Sequence, residues 1–215
     1  MNLAWSPPFS CLPACLAILM FFHGAVSAAD EPNWKPLFDG KTLKGWKITN
    51  FGGEGGVAVK DGQIIMEFGS SLTGITYEGE FPKTNYEISL EAMRVDGNDF
   101  FCGLTFPVAE SHCSFIIGGW GGAVVGLSSI DGHDASENET TQYKKFESDQ
   151  WYKVRVCVTP ERIEAWIDDK VLVDQDIVGR KITTRGEVNL SKPLGISAYE
   201  TRAAVRKLQY RELPK

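Results

Sequence analysis

One segment gathers more reactive side chains than the rest of the chain: Ser128-Ser-Ile-Asp131-Gly-His133-Asp134-Ala-Ser-Glu137-Asn138-Glu139-Thr140-Thr141. It brings four carboxylates, one imidazole, one amide and several hydroxyls into a short loop. Asp131, Asp134, Glu137 and Glu139 are the oxygen donors that a hard divalent cation such as Ca²⁺ selects. Their spacing is not that of an EF-hand, which needs donors at alternate positions and a glycine at the sixth. Most acidic loops are simply solvated. This one follows directly on Gly118-Gly-Trp120-Gly-Gly-Ala-Val-Val-Gly126, where an aromatic stands among glycines.

Aromatic side chains in glycine-rich turns suit carbohydrate, because sugar rings lay their C–H faces on indole and phenol. Trp46 and Trp120 stand in such turns and are expected on a binding surface. Trp151 and Trp166 lie in alternating segments and are expected in the core.

Several other chemistries are excluded. The Gly118–Gly126 stretch has no GxGxxG register opening a helix and no Gly-Lys-Ser/Thr ending a phosphate loop. No GxSxG nucleophile elbow occurs. Beyond the N-terminal segment only His112 and His133 remain, without CxxC or HxxxH spacing, so a Cys/His zinc site is not expected. The E-x-D-x-x-E strand of sandwich glucanases, which sets two carboxylates on one face, is absent. Glu78 and Glu80 sit in a turn-like TYEGEF, and Glu87 and Glu91 lie on the polar side of an amphipathic strand. A net charge of −6 argues against nucleic acid, whose phosphates require concentrated Lys and Arg.

The first charged side chain is Asp30. Before it, the apolar run Leu12 to Phe22 is shorter than the about 20 residues that a membrane-spanning helix needs. Val26 and Ala28 match the small residues of a signal-peptidase site, so residues 1–28 read as a secretory leader. The chain is therefore expected to be exported, periplasmic or secreted, and without a transmembrane segment. Cys15 lies near the start of the apolar run rather than ending it, which favours a free protein over a lipid-tethered one. Three cysteines remain after the leader, and Cys102–Cys113 is the favoured bridge across a hairpin, with Cys157 left over.

From about residue 31 to 215 the chain reads as one domain of short strands. Thr84–Arg94 places Tyr86, Ile88, Leu90 and Ala92 on one face. Trp151–Val158 alternates likewise, and Arg162–Ile167 and Val171–Ile177 flank the turn Asp168-Asp-Lys170. Further apolar runs lie at Gln63–Phe68, Phe100–Phe106, Ser114–Ile117, Ala123–Leu127, Leu194–Tyr199 and Ala203–Leu213. Helix is expected only as short turns near Glu137–Tyr143 or Val178–Thr183. The pattern predicts an all-β sandwich or barrel.

Pro36-Leu-Phe-Asp-Gly-Lys-Thr-Leu-Lys-Gly-Trp46 resembles the opening signature of the 3-keto-disaccharide hydrolase family. The resemblance continues through Val59–Ile64, Tyr86–Met93, Trp151–Val158 and the ending Gly195-Ile-x-x-Tyr199-x-Thr201-x-Ala203-x-x-Arg206. It implies a concanavalin A-like jelly-roll sandwich of two antiparallel sheets, with the site on one concave face. It also implies action on an oligosaccharide or glycoside. A ketone at C3 acidifies the C2 proton; a base removes it, the enolate is stabilised, the C1 substituent leaves and water adds back. Under this reading His133 or Glu139 is the base, and Asp131 and Glu137 are ligands of a divalent cation. Trp46, Trp120, Asn138 and Tyr199 are the substrate contacts. Two departures stand out. Asn98–Phe106 lacks the Arg that follows the corresponding N-S-G-I strand of relatives, and the Gly/Trp stretch with its acidic loop replaces a Y-E-x-Q-I-x-D segment. The alternative is a non-catalytic carbohydrate-binding module of laminin-G type, whose W-x-x-V-x-V…A-W-I-D-D hairpin pattern fits equally well.

Overall fold

A computed structural model of the protein describes residues 33–214 together with Met1 and Asn2; the rest of the expected leader lies outside the described residues. Fifteen strands follow one another along the chain. They are β1 (Lys35–Pro36), β2 (Trp46–Ile48), β3 (Val57–Lys60), β4 (Gln63–Met66), β5 (Leu72–Tyr77), β6 (Tyr86–Gly97), β7 (Cys102–Val108) and β8 (Ser111–Gly119). Then come β9 (Val124–Ser128), β10 (Gln142–Tyr143), β11 (Trp151–Val158), β12 (Arg162–Ile167), β13 (Lys170–Asp176), β14 (Gly195–Tyr199) and β15 (Thr201–Glu212). Among the described residues the helical segment is a 3-10 turn at Gly186–Ser191, not at either expected position. The stretch from Glu137 forms turns and then the edge strand β10.

The strands form two antiparallel sheets. The first runs β13-β12-β11-β6-β15-β4-β3, with β1 beside β15, and the second runs β10-β9-β8-β7-β14-β5-β2. Period-2 alternation decides what each sheet offers the other. From the first sheet come Tyr86, Ile88, Leu90 and Ala92 of β6 with Val154, Val156 and Val158 of β11, all buried. From the second come Ile75, Ile196, Leu104, Phe115 and Leu127, which stand in one register row across five strands. Tyr86 ties the layers together, its hydroxyl donating to Pro107 O at 2.5 Å.

The polar face of the first sheet is laced with charge. Glu87 takes Arg155 and Arg211, and Glu91 takes Arg206 and Lys207. Trp151 and Trp166 are not core residues, as alternation alone suggested. They lie on this outer face, half-buried beneath guanidinium groups: Arg206 sits 4.0 Å from the Trp151 ring centre and Arg155 3.5 Å from that of Trp166. Stacked arginine supplies both the apolar cover and the cation–π contact an exposed indole would otherwise lack.

The expected Cys102–Cys113 bridge does not form. Cys102 stands opposite Ile117 and Cys113 opposite Phe106, so the thiols occupy opposite ends of the β7–β8 hairpin. Four residues of strand separate them, roughly 13 Å at the rise of a β-strand, beyond the reach of a disulfide. Burial pushes the Cys102 and Cys113 thiols up to about 12 and the Cys157 thiol up to about 11. A protein beginning at Ala29 is therefore expected to show no rapid reaction with a thiol-specific chromogenic disulfide when native. In guanidinium without reductant it should titrate to three thiols. A single reactive thiol under denaturing conditions would restore the bridge.

Candidate functional site

The face of the second sheet turned away from the core carries small and hydroxylated side chains. Thr76, Gly195, Thr105, Ser114 and Ser128 form one register row, and Gly74, Ser197, Gly103, Ile116 and Gly126 the next. Such a floor lets loops and ligands approach the backbone closely. Gly126 shows the need: a Cβ there would meet the carbonyl oxygen of Ala135 at 3.0 Å. The Ala135–Thr140 loop covers one end of the face and the Gly186–Ser191 turn the other, where Thr76 donates to Leu190 O. A cleft of about 470 Å³ is left between them.

Its walls come from distant parts of the chain. Asp99 and Phe100 precede β7, Trp120 ends the β8 turn, and Arg185, Glu187 and Val188 lead into β14, which ends at Tyr199. Trp120 is 43% exposed and takes a left-handed backbone at φ 49°. A bulky residue in that region is costly and marks a position held by its surroundings. Phe100 stacks on Tyr199 at 5.9 Å and 25°, giving a second aromatic surface. The Glu200 charge beside Tyr199 raises its phenol, which keeps its proton.

The charged groups are held firmly. Asp99 accepts from the backbone N–H of Phe100 at 2.7 Å and of Gly121 at 3.1 Å, which locks the two aromatic turns together. Arg185 binds Asp134 through one arm and Glu187 through the other, the latter at 2.8 Å. Ser129 and Ser128 in turn donate to Asp134. The guanidinium holds Glu187 below the usual carboxylate range.

The residues singled out in sequence divide sharply. Trp120 and Tyr199 line the cleft. Trp46 does not: it is 5% exposed, its indole N–H donates to Leu37 O at 2.7 Å, and it packs against Tyr77. Leu37 and Phe38 are buried with it, and Asp39 closes the intervening turn through the N–H groups of Lys41 and Thr42. The family's opening signature is thus a folded corner. Asn138 braces the loop, donating to Leu127 O, His133 O and Asp134 O and accepting from Thr140. His133 and Glu137 are exposed and outside the cleft lining.

Asp131 and Glu139 do not face the cleft either. Arg180 spans them, at 2.6 Å from Asp131 and 2.5 Å from Glu139. The backbone N–H of Lys181 is the main influence lowering Asp131, and Glu139's own backbone N–H the main one lowering Glu139. A guanidinium fills the place where a cation would bind, and Glu137 stands apart. Among the described residues no three His, Cys, Asp or Glu side chains gather as a metal site. The acidic loop therefore does not fit the divalent cation that its composition suggested. Asp99, Arg185 and Glu187 were missed because Asn98-Asp-Phe and Thr184-Arg-Gly-Glu187 carry no chemical pattern of their own.

Residues 33–212 match the 3-keto-alpha-glucoside-1,2-lyase-like domain. The chain belongs to that family. Solved structures similar to this family domain include the carbohydrate-binding module CBM66 from Bacillus subtilis, at TM-score 0.55 and 13% identity over 78% of this chain and 96% of that one. The Crh5 transglycosylase in complex with NAG matches at TM-score 0.57 and 10% identity, over 85% and 84% of the two chains. The carbohydrate recognition domain of Emp46p matches at TM-score 0.51 and 13% identity, over 80% and 90%. These TM-scores show a shared jelly-roll fold. No curated protein matches the chain.

Proposed function

We propose that this domain cleaves 3-keto-glycosides in the cleft between Trp120 and Arg185. The observation that carries the reading is the family match over residues 33–212, joined to a cleft that pairs aromatic surfaces with charged groups. Trp120 and Tyr199 hold the sugar faces. Asp99 forms no ion pair among the described residues and takes the C2 proton, the role that sequence gave to His133 or Glu139. Arg185 faces the C3 oxygen as negative charge develops there. The C1–O bond then breaks, the leaving oxygen gains a proton, and water adds to the unsaturated sugar. A general base of this kind contributes about 10²–10⁴-fold in rate.

The second reading is a carbohydrate-binding module without turnover. Two observations favour it: among the described residues no imidazole lines the cleft, and Arg185 already engages two carboxylates. Release of p-nitrophenol from p-nitrophenyl 3-keto-α-glucoside separates the two, with an EDTA arm to report any cation. Turnover by the native protein, about 10²-fold or more lower in Asp99→Asn and unchanged in His133→Ala, is expected. Saccharide binding with no release from the native protein would leave the module.

A further inference from the structure

A second hollow, of about 340 Å³, lies behind the same two turns that wall the cleft. Arg94, Asn98, Gly122, Tyr143, Lys144 and Phe146 are among its lining. Its charge balance is unusual for an acidic chain. Arg94 is 6% exposed, and its guanidinium is bound by backbone carbonyls alone: Phe146 O, Asp99 O, Gly118 O and Gly122 O. No carboxylate forms an ion pair with it among the described residues, and its Nε has no hydrogen-bond partner. Lys144 likewise makes no ion pair among the described residues. Its ammonium lies 5.6 Å from the Phe146 ring centre and 5.3 Å from that of Tyr152, and its backbone N–H is fixed on Ala123 O. Of the three cations, Lys145 is neutralised, by Glu147 at 2.7 Å. Gly122 is required for the close fit, since a Cβ there would meet Asn98 O at 2.9 Å.

Lys144 without a carboxylate partner and the buried Arg94, which the Asp99 carboxylate of the adjoining turn influences only through space, leave a positive potential at the floor of an open hollow. An amide at Asn98 and a phenol at Tyr143 stand at its rim. The turns 97–100 and 119–122 separate this hollow from the cleft by the width of one loop pair, joined by the Gly121 N–H to Asp99 bond. We infer that the hollow is an oxyanion subsite, which takes the carboxylate or sulfate group of an acidic sugar unit linked to the sugar held in the cleft. The saccharide identity of the ligand rests on the function proposed above; the anion binding does not.

The test uses the full domain and isothermal titration calorimetry with glucuronate, glucose and inorganic sulfate. Glucuronate is expected to bind at least tenfold more tightly than glucose, more weakly as salt rises, and at least tenfold more weakly to Lys144→Glu. Lys144→Gln, which keeps the stem against Phe146, should lie between. Lys83→Glu, at an exposed pair with Glu110, should bind as the native protein does. Sulfate binding lost in Lys144→Glu, with no preference between glucuronate and glucose, would keep the anion site and overturn its sugar assignment. Equal affinity for glucuronate in all variants, or no anion binding at all, overturns the proposal. Neither result depends on turnover of a 3-keto-glycoside, so the two proposals fail separately.

Discussion

Arg94→Met is expected to lower the melting temperature by about 6–12 °C. The side chain is 6% exposed and satisfies carbonyl oxygens on three separate segments, Asp99, Gly118 with Gly122, and Phe146. Methionine fills much of the volume but donates nothing, so several buried acceptors lose their partner. Each such loss costs about 1–3 kcal/mol, part of which water recovers near the hollow. A total of about 3 kcal/mol follows, and for a domain of this size each kcal/mol moves the midpoint by about 2–4 °C. Arg94→Lys should recover only a minor share, because one ammonium cannot reach carbonyls fanned around a planar guanidinium. Thermal unfolding followed by circular dichroism measures this. A shift below about 3 °C would show that the two turns hold their shape without the clamp.

Arg185→Ala should do the reverse, sparing stability while removing function. Its side chain is 43% exposed, so its pairs with Asp134 and Glu187 contribute under about 1 kcal/mol. The cleft, however, loses its lining cation and keeps Asp99 and Glu187, together with Asp134 beside it. An electrophilic group removed from the position of a developing oxyanion costs about 10²–10³-fold in rate. Turnover of the 3-keto-glucoside is expected to fall by that factor with the melting temperature changed by less than about 3 °C. Arg185→Lys should not restore it, since a lysine cannot hold both carboxylates in one plane. Unaltered turnover in Arg185→Ala would remove this residue from the chemistry, and a large loss of stability would show that it is a brace.

The fold was legible because its signal is local. Trp151–Val158 and Arg162–Ile167 are strands with the bounds that alternation gave them, and β6 buries the four residues read as its inner face. Period-2 alternation needs no knowledge of the partner strand. It says which residues share a face but not which face meets the core, and Trp166 went to the outside under Arg155 of the adjacent β11, Trp151 under Arg206 of β15, one strand further across the sheet.

The site was only partly legible. Trp46 and Trp120 stand in similar glycine-rich turns, yet Leu37 O captures the first indole while a left-handed backbone turns the second to the cleft. The Asp131–Glu139 loop is chemically dense, but Arg180, some fifty residues onward by the separation of its bond to Asp131, neutralises its two ends. By itself the sequence determined the all-β character and the family. It also set the acidic balance and the signature from Pro36 to Trp46. Which carboxylates meet a cation, and which meet the cleft, was decided by strand order. That order sets the turn before β7, the turn after β8 and the Arg185–Glu187 segment beside one another, and contacts so distant in sequence leave no local pattern to read.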